Sequence, residues 1–176
     1  EDSNLIKGKF DLKYQGYGFI IVEDSDMPDI YIPRTATNTA MDEDICLVEI
    51  TREKSKDKLE GKIIKVIERS VKQIVGEYHD GQIFPKNDTN NMVFKLRKED
   101  KKKVKNNQLI KVKITKYGRG YIKECALVEI IGNIDDKDIE IKEVIHRNNL
   151  LSEFTDEELN FARNVSQEVD VEDIKN

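Results

Sequence analysis

The residues most suited to binding chemistry are three aromatic side chains in two neighbouring strand-like segments. Tyr17 and Phe19 lie two positions apart in residues 16–21, and Tyr31 lies in the middle of residues 29–33. Because alternate residues of a strand share a face, Tyr17 and Phe19 project together, and aliphatic neighbours point the other way. Such a surface suits the stacking of unpaired nucleic-acid bases. The alternative is a core or inter-domain packing cluster, but the aliphatic neighbours already supply the residues that a core needs.

Basic side chains fall into two groups around this aromatic set. Lys9, Lys13 and Arg34 flank it and are candidates for phosphate contacts. A second group lies on predicted strands in which lysine or arginine alternates with apolar residues, at Lys95, Arg97, Lys111 and Lys113. Lysine is a point charge that suits phosphates better than bases, so this group predicts affinity without sequence preference.

Other chemistry is poorly supported. Cys46, Cys125, His79 and His146 are isolated, which predicts buried, unreactive cysteines and argues against a zinc site or a disulfide framework. The acidic runs at 42–44 and 135–138 suit solvated loops better than a magnesium site, because they lack the separated partners of two-metal hydrolysis. No serine, histidine and acid motif is present, so we assign no catalytic or metal-binding residue.

The elements that must position these residues are short strands. Apolar residues alternate in runs from Leu5 to Val128, separated by Gly, Asp, Asn and Lys clusters, which is typical of an all-β protein. The first set of predicted strands covers 6–14, 17–23, 30–33, 45–51 and 62–68. The second covers 73–78, 82–84, 92–97, 109–116 and 121–128. Turns are predicted at 15–16, 24–29 and 52–61.

The two sets end alike, since residues 44–50 resemble residues 108–114 and each run precedes a Gly-x-Ile segment. This repeat predicts a mainly β chain of two tandem five-stranded OB-fold, cold-shock-like barrels followed by a short helical segment. The predicted domains are residues 1–70, residues 71–131 and an acidic helical linker over 132–176. Within the linker we predict a helix over 135–147, and Thr155 with Glu158 fits the capping box of another.

The net charge of −5 conceals an uneven distribution. Residues 1–70 carry 11 basic and 15 acidic side chains, residues 71–131 carry 14 and 7, and residues 132–176 carry 5 and 13. A basic middle between acidic ends points towards nucleic acid as a partner. The sequence shows no membrane span and no signal peptide, which predicts a cytoplasmic protein without a membrane partner.

The aromatic segments also resemble a known family. Tyr17-Gly18-Phe19-Ile20 and Ile30-Tyr31-Ile32 are similar to the two RNA-binding motifs of cold-shock domains. In order and spacing, the chain resembles the tandem cold-shock region of ribonuclease R and its relatives in the ribonuclease II family. The other segments that carry this resemblance are 40–44, 60–63, 74–76 and 130–132. The chain differs at Glu43-Asp44, where the family usually has Gly-Asp, and its second barrel lacks a good aromatic pair.

The resemblance implies single-stranded RNA as the partner, bound by tandem cold-shock domains that feed it to a metal-dependent 3′ to 5′ exoribonuclease domain of the same polypeptide. It places magnesium in that catalytic domain and no cofactor in this chain. The first residue is Glu1, and no aspartate-rich domain follows residue 176, so we expect a piece of a longer enzyme that binds RNA without cleaving it. Two alternatives stay open: a stand-alone RNA chaperone or regulator, and a protein-interaction module whose acidic helical end docks on a partner.

Overall fold

The computed structural model describes residues 5–23, 25–87 and 90–148. In these ranges the chain forms two closed five-stranded barrels and a helix, as the alternation of apolar residues predicted. The first barrel contains β1 (Leu5–Leu12), β2 (Gly18–Ile21), β3 (Ile30–Ile32), β4 (Ile45–Ser55) and β5 (Lys58–Glu68). The second contains β6 (Gln73–His79), β7 (Gln82–Phe84), β8 (Val93–Leu96), β9 (Gln108–Lys116) and β10 (Ile122–Asn133).

The two barrels have the same topology. Around the first barrel the strand order is β1-β2-β3-β5-β4, and the second repeats this order as β6-β7-β8-β10-β9. In each barrel the third and fifth strands are parallel and the other described pairs are antiparallel. One side-chain hydrogen bond also recurs, because the hydroxyl of Thr51 donates to the Glu60 carbonyl at 3.2 Å and that of Thr115 to the Glu124 carbonyl at 3.1 Å. The internal repeat of the sequence is therefore a structural repeat.

The predicted turn over 52–61 is wrong. Strands β4 and β5 continue through this region and reverse direction only at Lys56 and Asp57. The end of this β4–β5 hairpin is exposed on both faces and carries mostly charged residues, so it lacks the apolar alternation that would reveal a strand. Strand β10 likewise runs on to Asn133, five residues beyond the predicted end at 128.

Each barrel encloses its own apolar core. Phe10, Ile20 and Ile30 are fully buried in the first barrel, and Phe94, Ile110 and Val112 in the second. Both cysteines are buried as predicted, and burial raises the pKa of each thiol to about 12. A thiol with so high a pKa is almost entirely protonated at neutral pH and is therefore unreactive.

A buried carboxylate organises the end of the first barrel. Asp44 is fully buried and accepts hydrogen bonds from the Met41 N–H at 2.9 Å, the Ser70 N–H at 2.9 Å and the Arg69 guanidinium at 2.8 Å. The expectation of a solvated loop over 42–44 is therefore wrong at Asp44. Glu43 has a φ of 65°, which is the left-handed conformation that glycine adopts without strain. This explains physically why a glycine suits the position before the buried aspartate.

Arg69 also connects the two barrels. Its guanidinium donates to the Thr39 carbonyl and hydroxyl oxygens, both at 2.7 Å, and its Cζ lies 3.8 Å from the ring centroid of Tyr117. The Tyr117 hydroxyl donates to the Val71 carbonyl at 2.9 Å, in the segment between the barrels. Polar contacts therefore fix the junction at the point where the chain passes from the first barrel to the second.

The second barrel buries two charged groups. Asp100 accepts hydrogen bonds from Arg97 Nε at 2.5 Å, Lys103 Nζ at 2.7 Å and the Leu127 N–H at 2.9 Å. The Lys123 side chain is 1% exposed and donates to the carbonyls of Gly118 and Gly120 at 3.1 and 2.8 Å. The Lys123 contacts fix the loop between β9 and β10, called the β9–β10 loop below.

From Asp135 onward the chain belongs to a separate unit. Its described part contains helix α1 (Ile139–Arg147), which begins four residues later than predicted. Lys142 pairs with Asp138 at 3.0 Å one turn away. The predicted second helix at Thr155 lies outside the described residues. No described helix is long and apolar enough to cross a membrane.

Candidate nucleic-acid interface

Tyr17, Phe19 and Tyr31 form one outward-facing cluster, called the aromatic platform below. The ring centroids of Tyr17 and Phe19 are 6.0 Å apart, and each lies 5.7 Å from that of Tyr31. All three side chains are half-buried, and none belongs to either apolar core. The alternative of a core cluster is therefore contradicted for these rings, which leaves part of each aromatic surface open to a ligand.

Strand register explains why the rings meet. Phe19 on β2 lies directly opposite Tyr31 on β3, while their neighbours Ile20 and Ile30 form a buried pair on the inner side. The same row continues to Asp11 on β1, which lies opposite Phe19. Cross-strand partners of this kind lie close enough for direct ring contact.

The flanking basic residues lie at different distances from the platform. Lys13 is beside Tyr17, because its N–H donates to the Tyr17 carbonyl at 2.8 Å. Its ammonium group donates to Asp11 at 2.6 Å, and this hydrogen bond raises the pKa of Lys13. Lys9 lies opposite Ile21 on β2, two residues along β1 from Asp11. Its ammonium group pairs with the carboxylate of Glu43 at 3.4 Å. Both lysines therefore carry charge near the rings, partly offset by carboxylates.

Arg34 faces a cleft between the barrels. Its Cζ lies 5.1 Å from the ring centroid of Tyr121, in the β9–β10 loop of the second barrel. Thr35 and Arg119 also line this cleft, whose volume is about 240 Å³, and no carboxylate does so in the described part of the chain. Gly16 allows the close approach, because a Cβ there would lie 2.6 Å from the Tyr121 hydroxyl oxygen. Two guanidinium groups without a facing acid make the cleft suitable for an anion.

The cations predicted on the second barrel lie on strands that are not neighbours. Lys95 is exposed on β8, whereas Lys111 and Lys113 lie on β9, and strand β10 separates the two. Arg97 follows β8 and is held against buried Asp100, which also raises the pKa of the guanidinium. Arg97 therefore acts in the structure as an ion-pair partner, and strand β10 lies between Lys95 and the two lysines of β9.

The repeat identifies the positions in the second barrel that correspond to the platform. The inner pair Ile20–Ile30 corresponds to Ile83–Phe94, so the outward residues Phe19 and Tyr31 correspond to Gln82 and Lys95. Gln82 and Lys95 are themselves cross-strand partners. The second barrel thus keeps the scaffold and replaces the two aromatic rings by an amide and an ammonium group.

Sequence reasoning missed a groove beside the platform. The groove has a volume of about 240 Å³ and is lined by both rings of the Phe19–Tyr31 pair and by the β4–β5 hairpin. Its charged lining residues include Asp29, Asp57 and Lys58. The sequence predicts a turn over 52–61, and nothing in its pattern places the side chains of the hairpin near the aromatic residues.

The described residues contain no group of three or more histidine, cysteine, aspartate or glutamate side chains placed to hold a metal ion. The chemistry of the site is thus stacking, hydrogen bonding and charge. Two tandem OB-fold barrels, one with outward aromatic rings, define the class of small β-barrel proteins whose strand surfaces and loops bind oligonucleotides.

Comparison with known proteins shows what each barrel is similar to. The model of the ribonuclease B OB domain matches residues 8–66, and that of the cold shock domain matches residues 83–155. Ribonuclease R 1 of Lactococcus lactis is 29% identical over 94% of this chain and 22% of its own length. Ribonuclease R of Aquifex aeolicus is 28% identical over 91% of this chain and 23% of its own. The chain therefore spans less than a quarter of these curated relatives.

Solved structures agree at the level of the fold. Mycoplasma genitalium RNase R, in complex with ribose-methylated single-stranded RNA, has a TM-score of 0.64 at 19% identity over 82% of this chain and 24% of its own. Yeast Ssd1, described as a pseudonuclease, has a TM-score of 0.60 at 16% identity over 82% of this chain and 25% of its own. The two barrels thus match the ribonuclease B OB domain and the cold shock domain, and the chain is similar to part of ribonuclease R.

Proposed function

We propose that the chain binds single-stranded RNA on its first barrel and delivers it to the catalytic domain of a ribonuclease R-type 3′ to 5′ exoribonuclease. The observation that carries this proposal is the aromatic platform, in which Tyr17, Phe19 and Tyr31 contact one another on the outer face of a barrel. Stacking on aromatic rings is tolerant of sequence, because every base has a π-face. A binding module for a degrading enzyme needs this tolerance.

Phosphate contacts complete the proposed interface. Lys13 lies beside Tyr17, and Arg34 lies in the inter-barrel cleft with Arg119. We assign the cleft to the RNA backbone as it leaves the platform, since Gly16 lines the cleft and immediately precedes Tyr17. Lys9, Lys95, Lys111 and Lys113 add positive charge at a greater distance, while Arg97 serves mainly to satisfy Asp100.

The test compares two triple variants in binding to a fluorescent single-stranded RNA. In the first, Tyr17, Phe19 and Tyr31 are replaced by alanine. Each stacked base contributes about 1 to 3 kcal/mol, so losing two stacked bases should weaken binding about 30-fold or more. In the control, alanine replaces three exposed aliphatic side chains that line neither the groove nor the cleft, namely Ile64, Ile67 and Ile130. We expect the control to bind like the wild type.

Salt dependence checks the electrostatic part. For single strands, log K should fall with log salt by about 0.7 per phosphate contacted. Three contacts, from Lys13, Arg34 and Arg119, would give a slope of about −2. An RNA affinity that does not change with salt concentration, or equal losses of affinity in the two triple variants, would contradict the proposed RNA interface and favour a protein-interaction module.

The nuclease part of the proposal concerns a domain outside this chain. We expect magnesium to be held by that domain, as the resemblance to the ribonuclease II family implies. The chain by itself should bind a 5′-labelled RNA and leave it intact, with or without Mg²⁺. A polypeptide that joins it to a ribonuclease R catalytic domain should shorten the RNA from its 3′ end, and removal of Mg²⁺ by EDTA should stop this. Binding without degradation by the joined polypeptide would favour an RNA chaperone.

A further inference from the structure

Lys123 occupies a position that is apolar in the first barrel. It lies opposite Phe94, as Leu59 lies opposite Ile30, and Leu59 packs against the first core. The Lys123 side chain is 1% exposed, and in the described part of the chain its ammonium group bonds to backbone carbonyls and pairs with no carboxylate. Burying a charged group without an ion-pair partner costs free energy of folding. The lysine therefore serves a purpose other than packing.

The ammonium group of Lys123 organises the β9–β10 loop. It donates to the carbonyls of Gly118 and Gly120 at 3.1 and 2.8 Å. Both glycines have left-handed φ values, 47° and 79°, so the backbone turns sharply on either side of Arg119. Because both carbonyls bond to one buried ammonium group, the backbone is held inward on each side of Arg119. The Arg119 side chain itself is exposed and lines the inter-barrel cleft.

The β9–β10 loop contacts the first barrel on both sides of Arg119. Tyr121 lies against Arg34, with 5.1 Å between Cζ and the ring centroid, and Tyr117 lies against Arg69 at 3.8 Å. The corresponding β4–β5 hairpin of the first barrel differs, since its strands stay paired to its end and its end is exposed. The second barrel thus has, at the same place in the fold, a loop that reaches its neighbour.

We propose that Lys123 is a positioning residue for RNA binding, which acts through the β9–β10 loop to place Arg119 and Tyr121 in the inter-barrel cleft. There the guanidinium group of Arg119 acts with that of Arg34 on the RNA backbone, and the Tyr121 ring holds Arg34 in place. The inference rests on the proposed function, since it needs RNA in the cleft. It gives the second barrel, which lacks the aromatic platform, a contact with RNA made by a loop instead of a strand face.

The test measures binding of a fluorescent single-stranded RNA at pH 7 and several salt concentrations, for the wild type and Lys123→Met. Burial lowers the pKa of Lys123 to about 8, so the wild-type ammonium group is still charged at this pH. Methionine is also long and unbranched but donates no hydrogen bond, so the loop loses both of its bonds to this side chain. Loss of the Arg119 contact should change the salt slope from about −2 to about −1.3. Binding should weaken about fivefold.

A matched control and a second loop variant accompany this comparison. Lys116→Met removes one positive charge from a side chain that is 75% exposed and pairs with Glu124, next to Lys123 on β10. It does not line the cleft and should bind like the wild type. Gly120→Ala changes no charge, and its Cβ would meet no atom within 4 Å, but φ of 79° is unfavourable for alanine. It should shift the loop and reduce the salt slope as Lys123→Met does.

A combined variant separates positioning from a general loss of structure. The loop variant Arg119→Ala and Tyr121→Ala lacks the side chains that Lys123 positions, so adding Lys123→Met should change neither its affinity nor its salt slope. A further loss in the combined variant would overturn the inference, as would a Lys123→Met protein that binds like Lys116→Met. If circular dichroism shows Lys123→Met unfolded, Gly120→Ala decides, and a wild-type slope there would equally overturn it. These outcomes leave the aromatic platform intact, whereas a wild type without salt-dependent RNA binding would refute the proposed function itself.

Discussion

Replacing Arg69 tests the polar junction at the end of the first barrel. Arg69→Ala removes two hydrogen bonds to Thr39, one to buried Asp44 and the contact with the Tyr117 ring. Breaking a buried ion pair costs about 3 to 5 kcal/mol, because one charge stays behind unpaired. Asp44 keeps its hydrogen bonds from Met41 and Ser70, so we expect the lower end, about 3 kcal/mol.

The assay is urea unfolding at pH 7, followed by circular dichroism, with thermal unfolding as a second measurement. For a chain of this length, about 3 kcal/mol corresponds to a fall in Tm of about 6 to 12 °C. Arg69→Lys keeps the charge but cannot hold Thr39 and Asp44 in the same planar geometry, so it should fall between Arg69→Ala and the wild type.

The matched control is Arg52→Ala, because Arg52 is exposed on β4 and has no ion pair or side-chain hydrogen bond in the described part of the protein. We expect this variant to stay within about 0.5 kcal/mol of the wild type. An Arg69→Ala variant as stable as the Arg52→Ala variant would refute the view that the junction stabilises the fold.

Three further predictions concern the second barrel. Arg97 holds the pKa of Asp100 well below its usual range, so Asp100→Asn should lower the free energy of unfolding by about 2 kcal/mol at pH 7. Urea unfolding at several pH values should show the difference between wild type and variant shrinking as the pH falls below about 4, because the unfolded carboxyl is then protonated. Burial lowers the pKa of Lys123 to about 8, whereas an unfolded lysine keeps its proton to about pH 10. The free energy of unfolding of the wild type, relative to that of Lys123→Met, should therefore rise between about pH 8 and pH 10. A difference between the two proteins that does not change with pH would contradict this. In Gly76→Ala the new Cβ would lie 2.7 Å from the Phe84 carbonyl oxygen, and thermal unfolding should show a loss of about 2 kcal/mol.

Much of the fold follows from local sequence pattern. The alternation of apolar residues predicted both barrels, because their inner faces need an aliphatic or aromatic side chain at every second position. The β4–β5 hairpin was missed because it projects beyond the core, where burial no longer constrains residue type. The same loss of constraint concealed Asp57 and Lys58 as lining residues of the groove.

The site could be predicted in part, for a related reason. Tyr17, Phe19 and Tyr31 were found because they interrupt an aliphatic pattern at strand spacing. The separation of Lys95 from Lys111 depends on strand order, which places β10 between them and which alternation does not contain. The ion pair between Arg97 and Asp100 depends on a buried carboxylate, in a segment whose sequence is typical of a charged loop. These contacts depend on how distant segments pack together, and the pattern of charges along the sequence does not contain that information.

Ultraviolet crosslinking of a bound single-stranded RNA, read by mass spectrometry of the digested protein, tests the central claim most directly. Bases stacked on the aromatic platform should crosslink to the peptides that contain Tyr17, Phe19 and Tyr31, and a tenfold excess of unlabelled RNA should abolish the signal. Crosslinks confined to the second barrel, with none on these peptides, would contradict base stacking on the first barrel.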